Sequence, residues 1–171
     1  MKEIIGHGAI AETLKDTDRD LLFFASGVPN SSEKRESEFD RERDLLMSQD
    51  RDKHIVYFSS LCIFFDPDTR YSQHKMEMED IVKTFDRYTI VRIGNPDWVT
   101  NPHQLIPFLK GKLESGEPFE VYDEYRHLLT RDEFLYWIDL IPDRNCEITL
   151  TGRRVKVIDI VNELKEEYEE K

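Results

Sequence analysis

The sequence predicts an α/β fold, a mostly parallel sheet with helices on both faces. Two continuous apolar runs support this, Leu21-Leu22-Phe23-Phe24-Ala25 and Ile55-Val56-Tyr57-Phe58. Strands covered on both sides lose the in-out alternation and read this way. Between the strand candidates lie longer segments with apolar residues three and four apart, the spacing of a helix with one inward stripe. The chain also opens on a short apolar strand candidate, 2–5, that runs into Gly6-His7-Gly8-Ala9-Ile10-Ala11 and a helix start. Strands beginning at Lys2, Leu21, Ile55 and Tyr88 are expected to lie side by side in that order.

Composition narrows the classes. A chain of 171 residues with 39% hydrophobic content is large enough for one domain with its own core. A net charge of −12 argues against a nucleic-acid surface, which needs clustered Lys and Arg. It also means that an anionic ligand would need local basic groups to bind. The apolar runs are too short to span a bilayer, so no membrane association is expected. Met1-Lys2-Glu3 leads straight into structure without a signal-peptide pattern. Two cysteines, Cys62 and Cys146, suggest a reducing compartment, and a cytoplasmic protein is expected. The five histidines sit singly, so no metal site is expected.

Taken in order, the first strand, glycine turn and helix start fit a dinucleotide-binding fingerprint with Ala in the third position. Gly6 would allow the tight turn, Gly8 would let a pyrophosphate approach the backbone, and Ala11 would keep the helix close to the sheet. The helix ends near Lys15, and the next strand, 21–25, follows at once. The second strand with its acidic ribose ligand, which a full dinucleotide fold needs, has no room. The adenosine half of the site is therefore expected to be missing, with the first strand at a sheet edge.

Ser26-Gly27-Val28-Pro29-Asn30-Ser31-Ser32 forms a small-residue loop at a strand's carboxyl end, where ligands of parallel sheets sit. Ser31 or Ser32 is the cap candidate for a charged helix over 33–49. Its acid and base runs read as a solvated face, with Phe39, Leu45, Leu46 and Met47 as core contacts. The strand 54–60 ends in Ser59-Ser60. A helix over 71–85 then carries Tyr71 and Lys75 on an inward stripe with Met78, Val82 and Phe85. A lysine on that stripe is unusual without a partner. His74, between the two, is expected to point elsewhere and play no part.

After the strand 88–93 come Gly94-Asn95-Pro96, a helix over 102–113 capped by Asn101, and a short extended segment, 120–122. Thr130 caps a helix over 131–140 with Asp132 and Glu133 in its first turn. A strand at 147–150 and an amphipathic helix over 157–168 close the chain. Tyr71 and Lys75, four apart, lie one above the other on their helix. A neighbouring ammonium favours phenolate over phenol, so the pair could supply a base near neutral pH.

This order of features resembles the extended short-chain dehydrogenase/reductase family, specifically its NAD-dependent sugar-nucleotide epimerases and dehydratases. Gly6-x-Gly8-x-x-Ala11 is similar to the family's cofactor loop, and Phe24-Ala25-Ser26-Gly27 to its small-residue motif. Ile55-Val56-Tyr57-Phe58-Ser59-Ser60 resembles the strand that delivers the active-site hydroxyl, and Tyr71-x-x-x-Lys75 its signature pair. Val91-Arg92-Ile93-Gly94-Asn95 and the stretch from Arg126 to Asp132 resemble segments on the substrate side.

The resemblance implies a truncated Rossmann-like, doubly wound fold. Residues 1–93 would form the nucleotide-binding core, and 94–171 a small substrate-side segment with the closing strand and helix. It implies hydride transfer to NAD or NADP, with Tyr71 as the base and Lys75 lowering its pKa. The cofactor would be held by Gly6, Gly8, Ile10, Ala11, Ala25, Ser26 and Lys75. A nucleotide-sugar would be held by Asn95 and Arg126, with Arg126 on the diphosphate. Ser60 is the choice for the hydroxyl, with Ser59 the alternative on the strand. An alignment anchored on Phe64-Phe65-Asp66 puts Leu61 there instead. A homodimer through helices 33–49 and 71–85 is also implied. The alternative to an enzyme is an inactive relative that binds a nucleotide or sugar-nucleotide.

Overall fold

The computed structural model describes residues 1–28 and 30–170. Its main sheet is built from β1 (Glu3–Ile5), β2 (Leu22–Phe24), β3 (His54–Ser60), β4 (Arg87–Ile93) and β7 (Cys146–Leu150). They lie in the order β1-β2-β3-β4-β7 and every pair is parallel, so the predicted spatial order of the first four strands holds. Among the described residues β1 pairs only with β2, which makes it the edge the sequence requires.

Alternation along the strands divides the apolar side chains between two faces. Leu22, Phe24, Ile55, Tyr57 and Ile90 point to one face. There they meet Leu46 of α2 (Glu36–Met47) and Met78 and Val82 of α4 (Arg70–Val82). Phe23, Val56, Phe58 and Val91 point to the other, against Phe134 and Ile138 of α6 (Arg131–Asp139). Leu14, just beyond α1 (Ala9–Thr13), joins this second cluster. Each such side chain, fully buried, stabilises the fold by roughly 1.5–3 kcal/mol. Helices therefore cover both faces, as an all-parallel sheet requires.

A second sheet joins β5 (Asn95–Pro96), β6 (Tyr125–Leu129) and β8 (Arg153–Lys156). It packs Leu128 and Val155 against Ile106 and Leu109 of α5 (Leu105–Ser115) and Ile160, Val161 and Leu164 of α7 (Val157–Glu169). Sequence reading missed β6 and β8. Tyr-Arg-His-Leu-Leu and Arg-Arg-Val-Lys are polar over half their length, because the outer face of this sheet looks onto a cavity and solvent. The extended segment predicted at 120–122 is not a strand; pairing begins at Tyr125.

The helix ends follow local chemistry. Thr130 accepts a hydrogen bond from the Glu133 N–H at 3.2 Å, the predicted cap of α6. Thr69 does the same for Ser72 at the start of α4. Neither Ser31 nor Ser32 caps α2, which begins later, at Glu36. The Glu33 carboxylate instead takes the N–H groups of Lys34 and Arg35, both at 2.9 Å. Asn101 organises the turn before α5, taking the His103 N–H at 3.0 Å, and the helix itself starts only at Leu105. No helix among the described residues is long and apolar enough to cross a membrane.

Candidate functional site

The carboxyl ends of β1 to β4 open into one cavity of about 780 Å3, roofed by β6, β8 and the segment before α5. Gly8, Ile10, Ala25 and Ser26 line it on one side. Ser60, Tyr71 and Lys75 line its floor, and Asn95 and Arg126 line the far wall. Nine of the eleven residues expected to form a site thus face one space. Gly6 and Ala11 do not line it. Gly6 has φ +129°, and a Cβ there would lie 2.3 Å from the Ala25 carbonyl oxygen. Its small size serves the close approach of two strand ends, where the Ala25 N–H donates to the Ile5 oxygen at 2.8 Å. Gly8 has nothing within 4 Å of a Cβ and opens onto the cavity.

The floor holds the least expected feature. Glu42 of α2, assigned from sequence to a solvated face, is completely buried. Its Oε1 accepts from the Tyr57 hydroxyl at 2.7 Å and from Lys75 Nζ at 3.1 Å. Its Oε2 accepts from the Val28 N–H at 3.1 Å and pairs with His74 Nε2 at 3.0 Å. His74, expected to be uninvolved, is buried and packs its ring against Phe39 at 4.7 Å. Burial alone would raise the Glu42 pKa. The Lys75 charge and the bonds from His74 and Tyr57 outweigh burial and hold it at about 2.

Lys75 is 3% exposed. An ammonium has three N–H donors. Those of Lys75 reach Glu42 at 3.1 Å, the Tyr57 oxygen at 3.0 Å and the Phe58 carbonyl at 3.4 Å. Burial opposes its charge, but Glu42 more than offsets this, and its pKa is raised. The lysine expected to have a partner has one, and no donor is left over.

That changes Tyr71. Lys75 Nζ lies 5.7 Å from its ring centroid, and the Ser60 hydroxyl is within hydrogen-bonding reach. Both favour the phenolate, yet burial raises the Tyr71 pKa above its ordinary value, with Cys62 and Glu42 adding to the rise. The lowered pKa expected from the Tyr-x-x-x-Lys pair is not realised, because burial of the phenol outweighs the Lys75 charge that would lower it. Ser60 also accepts from the Cys62 N–H at 3.1 Å, whereas Ser59 is buried with its hydroxyl unpaired.

The far wall is basic. Arg126 pairs with Glu124 at 2.6 Å. Arg154 lies 3.5 Å over the Tyr125 ring and has no carboxylate partner among the described residues. Asn95 donates to the His127 carbonyl at 3.2 Å, so its amide also ties β5 to β6. His127 stacks on Phe65 at 5.6 Å, and its Nδ1 has no partner. Arg92, by contrast, faces away and holds Glu79 in a bidentate pair at 2.9 and 2.6 Å and Glu147 at 2.6 Å, joining α4, β4 and β7.

Glu42 was detectable in the sequence: Phe39, Glu42 and Leu46 share one helical stripe, which places a carboxylate among core contacts. Arg154 gave no signal, since β8 itself was missed.

No protein-family model matches the chain, and no curated protein matches it. Solved structures do. UDP-galactose 4-epimerase superposes with a TM-score of 0.63 at 17% identity, over 82% of this chain and 59% of that one. The chain has the fold of the nucleotide-sugar epimerases and dehydratases. A dTDP-glucose 4,6-dehydratase from Bacillus anthracis, solved in complex with NAD, superposes with a TM-score of 0.60 at 15% identity, covering 91% of this chain and 59% of that one. A hypothetical dTDP-4-dehydrorhamnose reductase from Sulfolobus tokodaii does so at 0.61 and 15%, covering 87% and 61%. The chain therefore spans about three fifths of the length of each.

The glycine loop after β1 and the Ser60–Tyr71 floor face the same cavity. A dinucleotide held through Lys75 does not fit the residues present. The ammonium is fully bonded, and β1 is an edge with no further strand beside it among the described residues.

Proposed function

We propose that this protein binds a nucleotide-sugar in the cavity, with the diphosphate against Arg126 and Arg154 and the sugar over Ser60 and Tyr71. One observation carries the reading: a single space joins the Ser60–Tyr71 floor to a wall with two arginines, in a chain whose net charge is −12. Guanidinium groups suit phosphate because their N–H forks match its oxygens. Residues 1–93 would serve as the nucleotide-side core and 94–171 as the substrate side. Calorimetric titration with UDP-glucose and dTDP-glucose tests the proposal. Arg126→Ala and Arg154→Ala should each weaken binding at least tenfold without lowering Tm. Unchanged affinity in both variants refutes the assignment.

A second reading, in which the same cavity turns over its nucleotide-sugar with Tyr71 as the base, is favoured by the Ser60 hydroxyl standing at Tyr71. Tyr71→Phe should then abolish turnover while leaving binding and Tm in place. A homodimer through helices 33–49 and 71–85 belongs to the same proposal, and a monomer mass in light scattering rejects it.

A further inference from the structure

We infer that the cavity takes a single nucleotide-type ligand and excludes a nicotinamide dinucleotide, and that Glu42 is the excluding residue. The single-ligand half rests on the nucleotide-sugar reading, but the exclusion of a dinucleotide stands or falls independently of it.

The argument starts from the donors. To grip a ribose, Lys75 needs a free N–H, and all three point at protein oxygens. Glu42, buried beneath the cavity, holds Nζ through its Oε1 at 3.1 Å, the contact a ribose hydroxyl would have to replace. Displacing it leaves a buried carboxylate without its cation, a loss of more than a hundredfold in any affinity gained there.

The backbone reinforces the carboxylate. Consecutive residues of α2 hold the loop after β2 down over the ammonium. Arg41 donates to the Ser26 and Gly27 carbonyls at 3.3 and 3.0 Å, and Glu42 takes the Val28 N–H at 3.1 Å. The loop passes so close that a Cβ on Gly27 would stand 3.2 Å from Lys75 Nζ. The loop thus closes one side of the ammonium, and although Lys75 lines the cavity floor its three N–H groups stay directed at protein oxygens.

The other end of a dinucleotide fares no better, since beyond β1 there is no strand among the described residues to carry an adenosine. A volume of about 780 Å3 suits one ligand of this class, in the range of roughly 300–1,000 Å3 usual for small-molecule sites.

The test uses calorimetry on the full chain, with NAD+, NADP+ and UDP as separate probes. The wild type should give no heat with either dinucleotide up to millimolar concentration. Glu42→Ala frees the ammonium and should bind NAD+ at least tenfold more tightly than the wild type. Glu42→Leu, which also leaves Nζ without its side-chain acceptor, serves the same comparison if the alanine variant does not fold. Submillimolar binding of either dinucleotide to the wild type overturns the inference outright. A folded Glu42 variant that stays as silent as the wild type overturns the role given to Glu42. UDP binding with dinucleotides silent supports the single-ligand site. Silence towards UDP as well overturns that half and the nucleotide-sugar reading with it, while the exclusion of dinucleotide is upheld by its own arm.

Discussion

Replacing Glu42 by Gln keeps the side chain's shape and removes its charge, which makes the buried pair measurable. The Glu42 carboxyl titrates at about 2 instead of 4.5. That fall corresponds to about 3 kcal/mol of stabilisation. Because the folded pKa is depressed, the stabilisation is fully present above pH 4.5 and is lost as pH falls towards 2. Urea unfolding at a series of pH values should therefore show the Gln variant less stable by about 3 kcal/mol at pH 7, with the gap closing almost entirely between pH 4.5 and 2. Glu33 also titrates at about 2, through its hydrogen bonds to Arg35. It does so in both proteins, so the difference isolates Glu42. Because the pair is buried, the gap at pH 7 should survive molar salt. A gap that stays constant down to pH 2, or is absent at pH 7, would refute the account of the network.

Three further outcomes are expected. Gly6→Ala should cost about 3 kcal/mol or more, from a strained φ and a collision with the Ala25 carbonyl. Gly8→Ala, whose backbone is extended and whose Cβ meets nothing, should leave stability unchanged or slightly raised, and thermal melts of the two distinguish them. In a phenolate absorbance titration, the signal lost in Tyr71→Phe should appear only above pH about 10, and a difference near neutrality would contradict the raised pKa. Arg92→Met leaves Glu79 buried without its cation and should cost about 3–5 kcal/mol in denaturant unfolding. Adding Glu79→Met should recover part of that loss, and strictly additive costs would contradict a buried pair.

The sheet was legible because its signals are local. Leu21-Leu22-Phe23-Phe24 and Ile55-Val56-Tyr57-Phe58 are apolar on both faces, and both became central strands. The cavity lining was legible too, since residues at the carboxyl ends of parallel strands converge whatever their chemistry. What escaped was chemistry made across the fold. The Glu42–Lys75 bond joins positions far apart in sequence, and only the three-and-four spacing around Phe39 hinted that the carboxylate turned inward. The helix also loses Met47 to solvent, where sequence reading had placed it in the core. The second sheet escaped for the opposite reason. Its strands are short and carry Tyr125, Arg126 and Arg154 towards the cavity, so nothing in β8 reads as a strand until α5 and α7 cover its other side.

The order β1-β2-β3-β4 has a consequence for chirality. The steps from β1 to β2 and from β2 to β3 are both parallel and run in the same direction across the sheet. The first connection passes over the face of Leu14 and Phe134, and the second over the face of Leu46 and Met78. Two such connections on opposite faces have opposite hands. The connection through α4 follows the one through α2, which leaves β1–α1–β2 as the odd unit among the three connections that join β1 to β4. Right-handed connections hold in about 98% of cases, because only that hand lets a twisted strand and its helix fold back together. The odd unit is bridged by a helix of five residues, too short to enforce a preferred hand. Its strand is held instead by a sheet that the rest of the chain has already built, so the amides of β1 are the ones expected to open first.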